Sequence, residues 1–365
     1  MSIENKAALQ SRAYKLSGCA YSHPGVSKAV NEDNFTLFGQ YRVEEQCKYS
    51  GMAETGMCLA APDIIHELIS YGVPFQRENG RITQRSFGGQ KKKRTAYVKS
   101  STGKMLTGAL IDAVRRFEDE GNIKRYPHHE FAGLILPGAK GDECDGAYIR
   151  DVYGRETEAL YGPVIMAVGG LNGFFEGHTT GTTANTGDAA AILFRQGVDF
   201  GNLEFIQFHP TTIAISDKRL LVSESARGEG GRLYIGDHDY FLEKKYGPRG
   251  NLMPRDVISR ELWEAGEQAY IDLTGLSKHI WKEKLPDLRR ELIYYLNTDP
   301  ETTPIPVAAG IHFFMGGIYV DEAHRTNING LYAAGECACQ YHGANRLGGN
   351  SLLGAIYGGR IAART

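Results

Sequence analysis

Arg346 stands in a run with little other chemistry, HGANRLGGN (342–350), and a cation set among so many glycines is hard to explain as packing. The run follows a strand-like stretch, Leu331 to Ala334, that ends in Gly335-Glu336. It leads into a helix-like stretch that opens at Ser351. A carboxylate at the carboxyl end of a strand is placed to accept from a hydroxyl of a bound cofactor, which gives Glu336 a binding role. The free amides of Ser351 and Leu352 at a helix start, helped by the helix dipole, suit a carbonyl-like oxygen of a cofactor. A second such place is GGLNGFFEGHTTGTTANTGD (169–188). It lies between a strand-like and a helical stretch, the usual phosphate and cofactor cradle of α/β proteins.

The elements that must position these residues follow from periodicity. Residues 53–71 read as a helix with Ile64, Ile65, Leu68 and Ile69 on one face. Residues 104–120 read as a stronger one, striped by Leu106, Leu110, Val114 and Phe117 and stopped by Gly121. Between them, residues 77–94 are polar and turn-rich, so a loop or hairpin. AYIRDVYG (147–154) and ALYGPVIMAV (159–168) read as two strands, and AAAILFRQG (189–197) as a short helix. Residues 205–310 are mixed, aromatic and charged, and the glycine-rich texture returns after them. The expected fold is α/β, with a cofactor domain over 1–204 and 311–365 interrupted by an α+β cap over 205–310.

Composition excludes several classes. The 365 residues carry 41 Lys and Arg against 43 Asp and Glu, a net charge of −2. That balance argues against a general nucleic-acid binder, which carries a basic excess. Lys91, Lys92, Lys93 and Arg94 are therefore read as a solvated loop, with a partner's docking surface as the other reading. Six cysteines with no CxxC give neither a disulfide scaffold nor an iron–sulfur or zinc site, and Cys337 and Cys339 are read as buried packing. No run of 18 apolar residues occurs, and the first residues have no signal-peptide core. Forty-five glycines, about 12% against a usual 7%, point to many tight turns and close backbone approaches to a ligand.

HGANRLGGNSLL, together with FHPTT (208–212), SESARGEGG (223–231), PRDVISR (254–260) and HFFMGG (312–317), resembles the succinate dehydrogenase/fumarate reductase flavoprotein family. TQRSFGGQ (83–90) and NTGD (185–188) also match, so the resemblance covers essentially the whole chain and keeps the family's order. It implies a Rossmann-like FAD-binding domain, incomplete at its N-terminus, with a capping domain. It implies that His209, Ser223, His312 and Arg346 hold the two carboxylates of fumarate or succinate, and that Phe87 packs on the substrate. Arg255 matches the general acid/base, with Asp256 and Glu224 as candidates for the carboxylate that resupplies its proton. Asp188, Glu336, Ser351 and Leu352 match FAD contacts. Arg227 and Glu229 are read as a loop-bracing ion pair. His178, His238, His279 and His324 lie outside the motifs and are read as structural. The partners implied are fumarate or succinate, an iron–sulfur subunit and a membrane anchor, with no nucleic acid. The chain is expected in the cytoplasm, peripheral to the membrane through those subunits.

Two features depart from the family pattern. The strand–GxGxxG–helix unit that binds the ADP half of FAD is not found, and residue 1 is expected to fall after it. The chain also ends at Thr365, where the family continues into a helical domain. Expressed alone, it is expected to be poorly soluble, or flavin-free and inactive. Aligning on Gly25-Val26 puts Gly18 where membrane-bound members tether FAD to a His, and His23 where the family has Gln or Glu. FAD is thus expected to be non-covalent. The rivals are L-aspartate oxidase, which shares HGANR and the PRD arginine, and a catalytically inactive module of the same fold. LGGNSLLG favours the dicarboxylate enzymes.

Overall fold

The computed structural model describes residues 48–85, 87, 93–99, 101–138, 141–339 and 341–365. Gly18, His23, Lys91 and Lys92 lie outside the described residues. Helix α1 (Lys48–Ser70) leads into two antiparallel hairpins, β1–β2 (Arg77–Glu78, Arg81–Ile82) and β3–β4 (Gln84–Arg85, Thr95–Ala96), and then helix α2 (Thr102–Asp119). Ile64, Leu68, Val73, Phe75, Val98 and Leu106 bury together here. The stripe on α2 is covered only at its start. Val114 is 44% and Phe117 49% exposed, because nothing among the described residues packs over that end. Gly121 follows α2 at φ 78°, a conformation that favours glycine and so ends the helix.

Strands β5 (His129–Ile135), β6 (Gly146–Asp151) and β7 (Thr157–Tyr161) form an antiparallel sheet. The stretch expected as one strand over 159–168 is two. Gly162-Pro163 breaks it, and β8 (Val164–Met166) leaves for a different sheet, since Pro offers no N–H to a continuing ladder. Helix α3 (Asp188–Arg195) and β9 (Phe200–Gly201) follow.

The central part is an antiparallel sheet of five strands in the order β11–β10–β14–β13–β12. It is built from β10 (Ile206–Ile215), β11 (Lys218–Leu221), β12 (Arg232–Ile235), β13 (Ala269–Asp272) and β14 (Ile305–Phe314). Helices α4 (Glu224–Gly228), α5 (Phe241–Tyr246), α6 (Arg255–Ala265), α7 (Lys278–Glu283) and α8 (Pro286–Leu296) belong to the same stretch. Its core holds Val222, Leu233, Leu242, Ile258, Ile271, Leu285, Leu292 and Ile305, each fully buried. Each such side chain contributes about 1.5–3 kcal/mol of apolar burial.

Short strands β15 (Gly317–Tyr319), β16 (Leu331–Ala333) and β17 (Ala338–Cys339) precede the last helix, α9 (Asn350–Ala362). β16 pairs parallel with β8 (Leu331 to Val164, Ala333 to Met166), so both carboxyl ends open on the same side. One end runs on to Gly169-Gly170 and the other to Gly335-Glu336. Cys337 and Cys339 are buried as expected, with Cys337 Sγ donating to the Met166 carbonyl at 3.2 Å. Among the described residues, no helix is long and apolar enough to cross a membrane.

Candidate active site

Two β-bulges set the centre of the site. Along β10 and β14, Gln207 faces Phe313 and Phe208 faces Ile311, so His312 has no opposite residue. Next, His209 faces Gly310 and Thr212 faces Ala308, so β10 carries one residue too many around Pro210-Thr211. Pro210 cannot donate to a ladder, and a bulge accommodates it. Bulges re-aim side chains. Here they accompany His209 and His312 rings with centroids 5.2 Å apart. His209 is fully buried. Its Nδ1 lies 3.3 Å from the Thr211 N–H, and its Nε2 has no partner. His312 Nδ1 lies 2.7 Å from Thr180 Oγ1.

Both imidazoles are held well below the usual value, first by burial and then by the positive charge of Arg255. Burial also lowers His324, and it pushes His342 down to about 3. These groups fold neutral. Below about pH 6.5 the unfolded chain binds protons that the native chain refuses, so stability is fully present above that pH and falls as the pH drops. We expect His209→Gln to flatten this acid-side slope by up to ~1.4 kcal/mol per pH unit, measured by urea unfolding across about pH 5–7. An unchanged slope would mean that His209 is not buried neutral.

Arg255 opens α6 directly after Pro254 and is 8% exposed. Its Nη2 donates to Glu224 Oε2 at 2.8 Å, its Nε to the same oxygen at 3.3 Å, and its Nη1 to Gln207 Oε1 at 2.9 Å. Glu224 is 3% exposed, and its other oxygen accepts from Arg227 Nη2 at 3.2 Å. The ion pair of Arg227 is therefore with Glu224 and not with Glu229, because RGEGG begins inside helix α4, where residues three apart share a face. Asp256 points elsewhere, accepting from Asn345 Nδ2 at 2.8 Å and lying 3.7 Å from Arg260. Of the two carboxylates adjacent in the motifs, Glu224 is the one that touches Arg255. Ser223 is the N-cap of α4, and its Oγ accepts from the Ser225 N–H at 3.3 Å and the Ser225 hydroxyl at 2.9 Å.

Arg346 is 4% exposed, with its guanidinium 4.4 Å from the centroid of the Phe313 ring and its Nε without a partner. Burial and then repulsion from Arg255 push its pKa down to about 9, against the pull of Glu224 and Glu336. Gln207 ties the loop of Arg346 to Arg255. Its Nε2 donates to the Arg346 carbonyl at 2.7 Å and to Asn345 Oδ1 at 3.0 Å. The motif reading missed Gln207. The available signal was its place two residues before His209, on the same face of a strand. A Cβ on Gly348 would lie 2.7 Å from Glu224 Oε2 and 2.9 Å from Phe87 Cβ, so glycine there leaves room for both side chains against the Arg346 loop.

Beside this cluster is an open cleft with a cavity volume of ≈ 120 Å³. Its lining includes Gly169, Gly170, Gly187, Asp188, Gly317 and Glu336. Gly169 and Gly187 have φ of 76° and 82°, and a Cβ on Gly170 would meet Glu336 Oε1 at 2.5 Å. The cradle is therefore shaped for close approach to backbone. Asp188 opens α3 and accepts from Thr186 Oγ1 at 2.7 Å. Glu336 accepts from the Phe314 N–H at 3.0 Å, and burial raises its pKa. Ser351 and Leu352 are not in the cleft lining. They lie in the first turn of α9, whose amides have no intrahelical acceptor. Two carboxylate acceptors and a glycine cradle at the ends of parallel strands fit the polar groups of a flavin nucleotide. Strand β14 joins the two halves, since His312 and Phe313 face the cation cluster and Phe314 bonds Glu336.

The FAD binding domain family matches residues 26–352. The succinate dehydrogenase flavoprotein subunit of Bacillus subtilis (strain 168) is 42% identical over 321 residues, 84% of this chain and 54% of that protein. The L-aspartate oxidase of Clostridium perfringens (strain 13 / Type A) is 30% identical over 96% of this chain and 79% of that protein. Among solved structures, a variant of E. coli quinol fumarate reductase superposes with a TM-score of 0.80 at 26% identity, covering 97% of this chain and 59% of that one. The chain thus spans about half the length of the first of these relatives. The resemblance read from HGANRLGGNSLL and its companion motifs agrees with these matches, and the chain belongs to the FAD binding domain family, alongside the flavoprotein subunits of succinate dehydrogenase and fumarate reductase.

Proposed function

We propose that this chain is the flavoprotein part of a fumarate reductase or succinate dehydrogenase, interconverting fumarate and succinate with FAD. One observation carries the reading. Arg346, Arg255, His209 and His312 converge in a buried cluster where His209 Nε2 and Arg346 Nε lack partners. A C4 dicarboxylate needs donors at both ends. Arg346 offers a planar fork for one carboxylate. His209, His312 and the hydroxyl of Ser223, whose own hydrogen is left to donate, serve the other. Phe87 packs against the carbon chain.

FAD, when bound, supplies hydride exchange with one alkene carbon. Polarisation of a carboxylate by the buried donors makes the alkene an acceptor, an electrostatic effect of the oxyanion-hole kind. Arg255 delivers or removes the proton at the other carbon. A guanidinium, which holds its proton tightly, serves as an acid only if it is reprotonated at once. Glu224, at 2.8 Å, is placed to relay that proton: it takes one up from solvent and passes it to the guanidine, and so returns to the carboxylate that rests between two guanidinium groups. Asp188 and Glu336 in the cleft, with the amides of Ser351 and Leu352, hold FAD, non-covalently given Gly18 at the tether position.

The cofactor domain takes residues 1–204 and 311–365 and the cap 205–310. Support comes from the core of the five-stranded sheet, whose buried members run from Ile213 to Val307. An iron–sulfur subunit supplies electrons, since the sequence holds no CxxC, and an anchor subunit holds the chain peripherally on the cytoplasmic face of the membrane.

The test is substrate class. Malonate and oxaloacetate should compete with fumarate, while crotonate, short of one carboxylate, should bind more weakly. The missing charge-assisted contact is worth about 1.5–3 kcal/mol. Acid precipitation should release the flavin. Crotonate turned over as well as fumarate removes the dicarboxylate reading. Oxidation of L-aspartate with release of peroxide selects the oxidase instead.

A further inference from the structure

Arg85 ends strand β3 and is 9% exposed. Its Nε and Nη1 have no hydrogen-bond partner. Its guanidinium carbon lies 4.4 Å from the centroid of the Tyr97 ring and 5.1 Å from that of Phe87. Burial lowers its pKa, while Glu229 and Tyr97 work the other way. A buried cation short of acceptors needs another source of stabilisation, and two aromatic faces provide one. The attraction is mutual, so the charge also restrains both rings.

Each ring leads somewhere. Phe87 abuts Gly348, where a Cβ would lie within 3 Å of both Phe87 and Glu224 (2.9 and 2.7 Å), so the ring is neighbour to the Glu224–Arg255 pair. The Tyr97 hydroxyl accepts from Lys284 Nζ at 2.8 Å, and Lys284 closes α7 between the buried Trp281 and Leu285. We propose that Arg85 is a positioning residue whose guanidinium, between Tyr97 and Phe87, fixes the Phe87 ring beside Glu224 and couples it to the seating of α7. Arg85 touches no substrate in this arrangement. It acts through Phe87, and the inference rests on the reading of Phe87 as the residue that packs on the dicarboxylate.

The experiment uses the full-length, flavin-loaded protein with 4-fluorophenylalanine in place of Phe87. Arg85→Met should raise the fumarate KM and the malonate Kd about tenfold, the loss of one desolvated cation–π contact, with a smaller change in kcat. The fluorine resonance should shift or broaden. Arg85→Lys, which keeps the charge but not the planar fork, should restore part of the affinity. If Arg85→Met does not fold, Tyr97→Leu removes one face and should act in the same direction. A variant that loses thermal stability while KM, Kd and the fluorine signal stay at wild-type values overturns the proposal. If the wild type binds neither fumarate nor malonate, the dicarboxylate reading fails. The fluorine signal then decides alone: indifference to Arg85→Met overturns the positioning role, and a shift upholds it.

Discussion

Arg255→Lys in the flavin-loaded protein is expected to lower fumarate reduction by about 10²–10⁴, the usual contribution of a general acid. Lysine keeps a cation beside Glu224 but cannot span Glu224 and Gln207 with one planar fork, as Arg255 does at 2.8 and 2.9 Å. The proton donor then sits in the wrong place, while Arg346, His209 and His312 keep their own contacts. Flavin content and malonate affinity should therefore hold. Turnover above about a tenth of wild type would remove Arg255 from the acid role. A matching loss of malonate affinity would make Arg255 a carboxylate ligand instead.

Glu224→Gln is expected to damage both rate and stability. Burial raises the Glu224 pKa, but Arg255 and Arg227 outweigh it and hold the carboxyl below the usual range. Its stabilising effect is thus present above the unfolded-state pKa of about 4.3 and is lost as the pH falls through the lower native value. The amide keeps an acceptor but leaves Arg255 and Arg227 buried without a counter-charge. Breaking a buried pair in this way costs about 3–5 kcal/mol. Thermal unfolding should shift down by several degrees, and fumarate reduction should fall by two orders of magnitude or so, as for a lost acid/base group. Glu224→Asp should recover more stability than rate, because the charge returns while the distance to Arg255 grows. Wild-type rates in Glu224→Gln would place the proton supply elsewhere.

Motif order in the sequence determined the family, and periodicity determined the longer elements. The Ile64 and Leu68 face marked α1, and Gly121 marked the end of α2. The helix face and the helix stop are local, set by side-chain spacing and by the φ values that glycine tolerates. The glycines at 170 and 348 stand where a Cβ would run into a neighbouring side chain, Glu336 at one and Glu224 and Phe87 at the other. A one-dimensional reading placed a strand through Gly162-Pro163 and covered all of the α2 stripe. It erred because the partner of a strand and the cover of a helix are long-range facts.

The site itself was assigned residue by residue from resemblance, but its wiring belongs to the tertiary structure. The sequence offered Asp256, next to Arg255, and Glu224, 31 positions before it, with equal standing. Only the packing of α4 against the start of α6 puts Glu224 within 2.8 Å and leaves Asp256 to Asn345. Gln207 carries no chemical signature, yet it joins Arg255 to the Arg346 loop 139 positions further on. The bulges beside His209 and His312 depend on which residues of β10 and β14 face each other, a register that 95–105 intervening positions do not encode locally. The sequence by itself determined which groups are available. The structure decided which of them share a buried, low-dielectric space, and that sharing is what keeps the histidines neutral and Glu224 ionised against Arg255.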